Sequence, residues 1–269
     1  MSDRVSCTVG DGVADVRLTR PEKRNAIDLG MFDALIDAGE ALQGDPSVRA
    51  VVLSGEGRSF CAGLDRAVFE SLGGEKGAGG GSFADHVLAH RDGEMASVAQ
   101  RAVTVWSSMA VPVIAAVHGH ALGGGLQLAL GADIRIVAPD AQLSVLEIRW
   151  GLIPDMSGTQ VLPGLVGLDV AKELTFTGRM VSGTEAHRLG LATRLSETPL
   201  DDALALAAEI AGNSPSAVRS AKALLDLAGR VSFEEGLLAE QRVQRSLIGS
   251  ADQIEAIMSF LEQRAPRWA

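Results

Sequence analysis

The chain has 269 residues, of which 46% are hydrophobic and 22% are charged, and its formal net charge is −10. These values are typical of a globular protein that buries a core without disulfides, and they exclude disorder, collagen and low-complexity filaments. The acidic balance also argues against broad binding to nucleic acid or to an anionic membrane surface.

Predicted strands and helices alternate through the first half of the chain. Alternating apolar residues predict two initial strands joined by the turn Gly10-Asp11-Gly12, and short apolar runs predict further buried strands. The predicted strands are 5–9, 13–18, 50–53, 113–117 and 134–138, and the predicted helices are 28–42, 86–109 and 123–130. This alternation predicts an α/β fold.

The pattern changes after about Asp155. Amphipathic spacing predicts helices over 203–211, 216–227, 233–247 and 252–264. Earlier in the chain, residues 71–82 contain six glycines among twelve residues, a composition that predicts a flexible loop. We therefore predict a core in residues 1–200 and a helical region in residues 201–269 that belongs to the same functional unit.

A run of three glycines, Gly123 to Gly125, follows the predicted strand 113–117 and opens a predicted helix. Bare backbone N–H groups at a helix start favour a negatively charged oxygen, although close packing of helix on strand would also explain the glycines. The spacing is not that of a phosphate loop or a nicotinamide fingerprint. A second run of small residues, Ser59 to Asp65, is compatible with a site or with a plain turn.

Two acidic residues follow the predicted strand 134–138. Glu147 lies in an apolar run, where a carboxyl group has a raised pKa and suits proton transfer, although an ion pair with Arg149 is an alternative. Asp155 precedes Met-Ser-Gly-Thr-Gln and is interpreted either as a chemical group or as a helix N-cap.

Other catalytic arrangements receive little support. His86 and His90 lie four residues apart but lack the Glu of an HExxH motif, and the sequence predicts no metal site. The absence of GxSxG argues against a nucleophile-elbow hydrolase. Cys61 has no motif that pairs it with a base, so we expect a small buried side chain there.

Taken in order, several segments resemble the crotonase superfamily, the enoyl-CoA hydratase/isomerase family. They are RPEKRNAI, SFCAGLD, HGHALGGGLQLAL, EIRWGLIPDMSGTQ and FLEQR, which together span nearly the whole chain. The resemblance implies an α/β fold built as a crotonase-like spiral of ββα units, with a C-terminal helical trimerisation region. It also implies a coenzyme A thioester substrate, no separate cofactor, and a homotrimer or a dimer of trimers.

The resemblance also assigns site residues. The backbone N–H groups of Leu64 and Gly124 would form an oxyanion hole for the thioester oxygen, where losing one donor typically costs about 100- to 1000-fold in rate. The loop over 71–82 would lie beside the acyl chain. The residues expected to bind the coenzyme A substrate are Lys23, Arg24, Ala26, Ala62, Gly63, Asp65 and Gly123.

One departure from the family pattern concerns the catalytic pair. Typical hydratases carry a glutamate at the position of Gln127, which cannot exchange a proton at neutral pH, and a second one at the position of Glu147. We therefore predict a double-bond shift by Glu147 as general acid/base, with Asp155 and Gln127 as the other candidate catalytic residues. Hydration of a 2-enoyl-CoA and a non-catalytic acyl-CoA-binding relative are the alternatives.

The sequence also gives expectations about location. The first residues lack the layout of a signal peptide, and the apolar run 109–117 is too short to span a bilayer. Two cysteines are too few for a disulfide scaffold. We expect a cytoplasmic protein without membrane or nucleic-acid partners.

Overall fold

The computed structural model describes residues 3–73, 78–91 and 93–268. The strands are β1 (Val5–Gly10), β2 (Val13–Leu18), β3 (Ala50–Gly55), β4 (Val113–Val117), β5 (His120–Leu122), β6 (Ile134–Val137), β7 (Gln142–Ser144), β8 (Val181–Ser182) and β9 (Arg194–Leu195). The helices are α1 (Leu29–Gln43), α2 (Arg66–Gly73), α3 (Ala78–Val87), α4 (Val98–Ser107), α5 (Gly124–Leu130), α6 (Gly158–Val166), α7 (Leu168–Thr177), α8 (Gly183–Leu189), α9 (Pro199–Ala211), α10 (Pro215–Leu227), α11 (Phe233–Leu247) and α12 (Ala251–Leu261). Short 3-10 helices cover Pro21–Lys23 and Glu147–Trp150.

The strands form two sheets. The larger has the order β1-β2-β3-β4-β6-β9, in which β1 and β2 pair antiparallel and the remaining pairs are parallel. The smaller has the order β5-β7-β8. The chain passes from β4 to β5 and from β6 to β7, so consecutive strands leave one sheet and enter the other. Helix α5 follows the first of these crossings, which confirms the predicted spiral of ββα units.

Gly119 lies at the crossing from β4 to β5 and has a φ of +60°. A Cβ atom at this position would lie 2.0 Å from the backbone oxygen of Arg58, so no larger residue fits the crossing. The segment that follows β3 therefore packs directly on this turn. Glycine is required here because two backbones approach closely in a left-handed conformation.

The larger sheet has apolar side chains on both faces, as expected for parallel strands covered on two sides. Val51 and Leu53 belong to the main core, which they share with residues of α1 and α4. Ala50 and Val52 point to the other face and pack with α9 through Ala203. Helix α9 is therefore part of the layered core, and the division of the chain at residue 200 stays a prediction.

Helix starts follow local capping rules. The Asp28 side chain accepts a hydrogen bond from Met31 N at the start of α1, and α4 begins with a capping box between Ser97 and Gln100. The predicted helix over 86–109 is therefore wrong as one element. Its first residues belong to α3, and a bridge between His90 and Ser97 precedes α4.

The predicted loop over 71–82 is also wrong at both of its ends. Helix α2 extends to Gly73 and α3 begins at Ala78, while residues 74–77 lie outside the described residues. Glycine disfavours helix, but Val87 in the last turn of α3 is buried in the core and Phe83 packs against it. This packing stabilises the helix against its weak local propensity.

No helix in the described part of the chain is long and apolar enough to cross a membrane. Among the same residues, no group of three or more His, Cys, Asp or Glu side chains is arranged to hold a metal ion.

Candidate active site

A cavity of about 680 Å³ lies where the loop after β3 meets the start of α5. Gly63, Leu64 and Gly124 line one part of it, and the carboxyl-bearing residues Glu147 and Asp155 lie in the same lining. The remaining wall is largely apolar. It includes Ile27, Phe32, Phe83, Val87 and Ala99, contributed by the segment before α1 and by α1, α3 and α4.

The two predicted oxyanion segments are held together by backbone hydrogen bonds. Cys61 N donates to His120 O at 2.9 Å, and Leu122 N donates to Cys61 O at 3.1 Å. Among the described residues, the N–H groups of Leu64 and Gly124 have no hydrogen-bond acceptor. Both residues line the cavity, so two backbone donors are available to a ligand oxygen there.

The neighbouring glycines have a different role, which is close packing. A Cβ atom on Gly125 would lie 2.3 Å from Cys61 O, and one on Gly63 would lie 2.5 Å from Leu122 O. Close packing therefore explains Gly125, while binding of a ligand oxygen by the glycine run stays a prediction. Gly125 lets helix and loop approach, while Gly124 offers its N–H group to the cavity.

Glu147 lies at the start of a 3-10 helix, with 9% of its surface exposed. Its Oε1 accepts a hydrogen bond of 2.7 Å from Gln127 Nε2, while its Oε2 is buried and has no partner among the described residues. Burial raises the pKa of Glu147, and the negative charge of Asp155 raises it further. Arg149 forms no ion pair with Glu147 within the described chain, so the ion-pair alternative is wrong.

Asp155 lines the same cavity as Glu147. The surrounding protein raises the pKa of its carboxyl group by desolvation. Asp155 is not the N-cap of the following helix, because Ser157 occupies the N-cap position of α6. The side chain of Ser157 forms no capping hydrogen bond. The N-cap interpretation of Asp155 is therefore wrong.

Gln127 does not lie where a group that contacts substrate would lie, namely in the lining of the cavity. Only 2% of its surface is exposed, and it is not among the residues that line the cavity. Its Oε1 accepts hydrogen bonds from Met156 N at 2.8 Å and from Gly158 N at 3.0 Å. Gln127 thus lies behind Glu147 and satisfies the first N–H group of α6.

The predicted coenzyme A residues divide into two sets. Ala62, Gly63 and Gly123 line the cavity, whereas Lys23, Arg24, Ala26 and Asp65 do not. Lys23 and Arg24 are exposed, and Ala26 is buried. Ala62 N donates to Arg24 O at 2.9 Å, which places the two segments side by side. Contact of all seven residues with a coenzyme A thioester stays a prediction.

Asp65 has partners within the protein. Arg20 Nη2 donates to its Oδ2 at 2.9 Å, and Ala67 N donates to its Oδ1 at 3.0 Å. These bonds lower the pKa of Asp65 against the opposing effect of burial. Its carboxylate therefore stabilises the loop around Leu64.

Asn25, which no sequence motif singled out, holds the same loop in place. Asn25 is fully buried with a φ of +57°, a conformation that Asn tolerates better than most residues. Its side chain accepts from Arg20 N and donates to Glu56 O and Ser59 O. The sequence signal that could have indicated this role is a polar residue between the charged and the apolar parts of RPEKRNAI.

Comparison with known proteins identifies the family of this chain. A family model described as enoyl-CoA hydratase/isomerase matches residues 8–269. The mouse protein "Enoyl-CoA hydratase domain-containing protein 2, mitochondrial" is 34% identical, with 96% of this chain and 84% of that protein covered. The peroxisomal Delta(3,5)-Delta(2,4)-dienoyl-CoA isomerase of Arabidopsis thaliana is also 34% identical, over 94% of this chain and 91% of that protein. The crystal structure of enoyl-CoA hydratase from Bacillus anthracis has a TM-score of 0.86 at 30% identity, and 98% of each chain is covered.

Proposed function

The chain belongs to the enoyl-CoA hydratase/isomerase family, and we propose that it shifts the double bond of an unsaturated acyl-CoA thioester. The observation that carries this proposal is the position of Glu147. Glu147 lines the same cavity as Leu64 and Gly124, and its buried Oε2 has no hydrogen-bond partner among the described residues. A base and two oxyanion donors thus lie around one space.

The proposed reaction proceeds through an enolate. The thioester oxygen accepts hydrogen bonds from Leu64 N and Gly124 N, which stabilise the negative charge that develops on it. Glu147 Oε2 removes a proton from the carbon next to the carbonyl, and the electron pair of that C–H bond moves into the conjugated enolate. A proton is then added at the far end of the conjugated system, so the double bond moves without change of mass.

Asp155 is the proposed second carboxyl group of this transfer. Because its pKa is raised, Asp155 holds a proton more readily than an ordinary aspartate does, as a proton donor must. Glu147, with a raised pKa of its own, lies close enough for the charge of Asp155 to affect it. The apolar side chains of Phe32, Phe83 and Ala99 favour an apolar acyl group in the rest of the cavity.

Two features favour isomerisation over hydration. Gln127 cannot exchange a proton at neutral pH, so a hydratase-like pair of glutamates is absent at these two positions. In addition, one relative at 34% identity is named a dienoyl-CoA isomerase.

Hydration is the second candidate function. Relatives named as hydratases favour it, and the carboxyl groups of Glu147 and Asp155 would then hold and activate a water molecule. A binding protein without catalysis is a third possibility, which the buried carboxyl of Glu147 argues against because an idle buried carboxylate is costly.

Turnover of a panel of 2-enoyl-, 3-enoyl- and dienoyl-CoA esters, followed by absorbance and product mass, tests the proposal. We expect conversion of 3-enoyl or dienoyl esters to isomers of equal mass. A product heavier by one water would favour hydration. Thermal stabilisation by acyl-CoA esters without any turnover would indicate the binding protein.

We also propose self-association as a homotrimer or a dimer of trimers. Helices α10 to α12 expose large apolar side chains that a monomer would leave in water, among them Leu225, Phe233 and Phe260. The expected cytoplasmic location stays a prediction, since the names of two relatives place those proteins in mitochondria and peroxisomes.

A further inference from the structure

Gln127 connects three parts of the site by hydrogen bonds. Its Nε2 donates to Glu147 Oε1, and its Oε1 accepts from the backbone N–H groups of Met156 and Gly158. These partners determine the orientation of the amide. In the reverse orientation, the NH2 group would face two N–H donors and the carbonyl oxygen would face the Glu147 carboxylate. The side chain is therefore fixed at both ends.

The protein packs tightly around this amide. A Cβ atom on Gly158 would lie 2.8 Å from Gln127 Oε1, so any larger residue at 158 would displace the amide from its present position. A Cβ atom on Gly123 would lie 3.2 Å from Glu147 Oε1 on the other side. Glycines thus allow both neighbouring segments to approach the Gln127–Glu147 pair.

The two oxygens of Glu147 have different surroundings as a result. Oε1 is bonded to Gln127, and Oε2 has no partner among the described residues. The bond also favours the ionised form of Glu147 and so acts against the effect of burial on its pKa. Met156, whose N–H group Gln127 binds, is the neighbour of Asp155 in the chain, so the same amide fixes the backbone beside the second carboxyl group.

We propose that Gln127 is the positioning residue of this site, which holds Glu147 and the Asp155 segment in one arrangement and leaves Glu147 Oε2 as the single oxygen that transfers the proton. The proposal rests on the proposed function and adds a role that involves neither substrate contact nor proton exchange. It gives a role to the glutamine that stands where typical hydratases carry a second glutamate. A carboxylate at position 127 would face Glu147 Oε1 at hydrogen-bond distance, and the pair would share one proton.

The charges around Glu147 make its titration interpretable. Asp155, on the segment before α6, is the titratable group whose charge acts on it. Gln127 on α5 and Met156 before α6 contribute no charge. A change in the pKa of Glu147 in Gln127→Leu, which introduces no charge, would therefore report loss of the hydrogen bond from the amide.

The experiment compares Gln127→Leu and Gln127→Glu in the full chain. The pKa of Glu147 is read by infrared difference spectroscopy of the carboxyl band that is lost in Glu147→Gln, and kcat and KM are measured against pH. Ser144→Ala is the matched control, because Ser144 Oγ donates a buried hydrogen bond to Gly178 O and, among the described residues, forms no hydrogen bond with Glu147.

Gln127→Leu should raise the pKa of Glu147, move the acidic limb of kcat to higher pH and lower kcat about 10- to 100-fold by misplacing the base. KM should stay near the wild-type value, since Gln127 does not line the cavity. Gln127→Glu retains an acceptor for Met156 N and Gly158 N and should raise the pKa further. If Gln127→Leu does not fold, the same measurements are made on Gln127→Glu alone.

An infrared pKa of Glu147 that matches wild type in both folded variants would overturn the proposal, as would a rise in KM with kcat unchanged. The infrared titration needs no turnover. If the wild-type protein converts no unsaturated thioester, the proposed function fails while the role of Gln127 is still decided.

Discussion

The site and the C-terminal helices depart from the usual distribution of side chains in opposite ways. Around the cavity the protein buries polar groups, including the carboxyl of Glu147 and the amide of Gln127. On α10 to α12 it exposes apolar groups, such as Phe260 at 80% exposure. Both arrangements cost free energy in an isolated monomer, which supports the proposed reaction in the first region and the proposed self-association in the second.

The largest expected effect is that of Glu147→Gln. Removing the proton-transfer group should lower kcat by about 100-fold or more, as is typical of general acid–base catalysis. The amide can still accept the hydrogen bond from Gln127, so circular dichroism and the affinity for acyl-CoA should match wild type. A folded variant with a near-normal rate would remove Glu147 from the mechanism.

Gly124→Pro tests the oxyanion donor from the same region. Gly124 is the first residue of α5, a position where proline is well tolerated, so the helix should persist while one N–H group is lost. We expect kcat to fall about 100- to 1000-fold. Gly124→Ala is the control, because it keeps the N–H group and reports the crowding of its methyl group against Met156 Sδ at 3.0 Å and Ile27 Cδ1 at 3.2 Å. Equal losses in both variants would show that the N–H group is not used.

Asp155→Asn separates chemistry from structure at the second carboxyl group. Because Asp155 caps no helix, both Asp155→Asn and Asp155→Ala should unfold at the wild-type Tm in calorimetry. Isomerisation by either variant should fall about 100-fold if the carboxyl donates the proton. Full activity in a variant of unchanged Tm would leave Glu147 as the sole proton-transfer group.

Phe260→Glu tests the second region. Burial of a phenylalanine side chain typically contributes about 1.5–3 kcal/mol, and a charge there would oppose association. Analytical ultracentrifugation should show smaller species than wild type at equal concentration. Phe176→Glu, a similarly exposed phenylalanine on α7, is the matched comparison outside α10 to α12. An unchanged sedimentation profile for Phe260→Glu would place the interface elsewhere.

The smallest expected effect is on stability as a function of pH. The folded-state pKa of Glu147 is raised, so the folded protein binds more protons at this group than the unfolded chain does. Its favourable contribution is complete below the unfolded pKa and is lost as pH rises through the folded pKa. Denaturation of Glu147→Gln should therefore show a growing stability advantage over wild type between acidic and neutral pH. A constant difference would contradict the raised pKa.

Sequence patterns predicted those elements whose signal is local. The apolar run at 113–117 coincides with β4, and helical spacing at 233–247 coincides with α11. The two-residue strands β8 and β9 are too short to show a period, and α3 forms through the packing of Phe83 and Val87 on distant residues.

The candidate site shows the same limit. The residue types of Glu147 and Asp155 indicated titratable groups, and the cavity contains both. The position of Gln127 behind Glu147 depends on the path of the chain between α5 and α6, which no local pattern encodes. For the same reason, the capping of α6 by Gln127 instead of Asp155 could not be read from the sequence.

Conversion of a 3-enoyl-CoA ester in D2O, with product mass measured for the wild-type protein and for Glu147→Gln, tests the central claim most directly. The account predicts that the wild-type protein forms a 2-enoyl-CoA whose mass differs from that of the substrate only by exchanged hydrogen, and that Glu147→Gln forms almost none. A wild-type product that has gained the elements of water, or an equally fast Glu147→Gln variant, would contradict it.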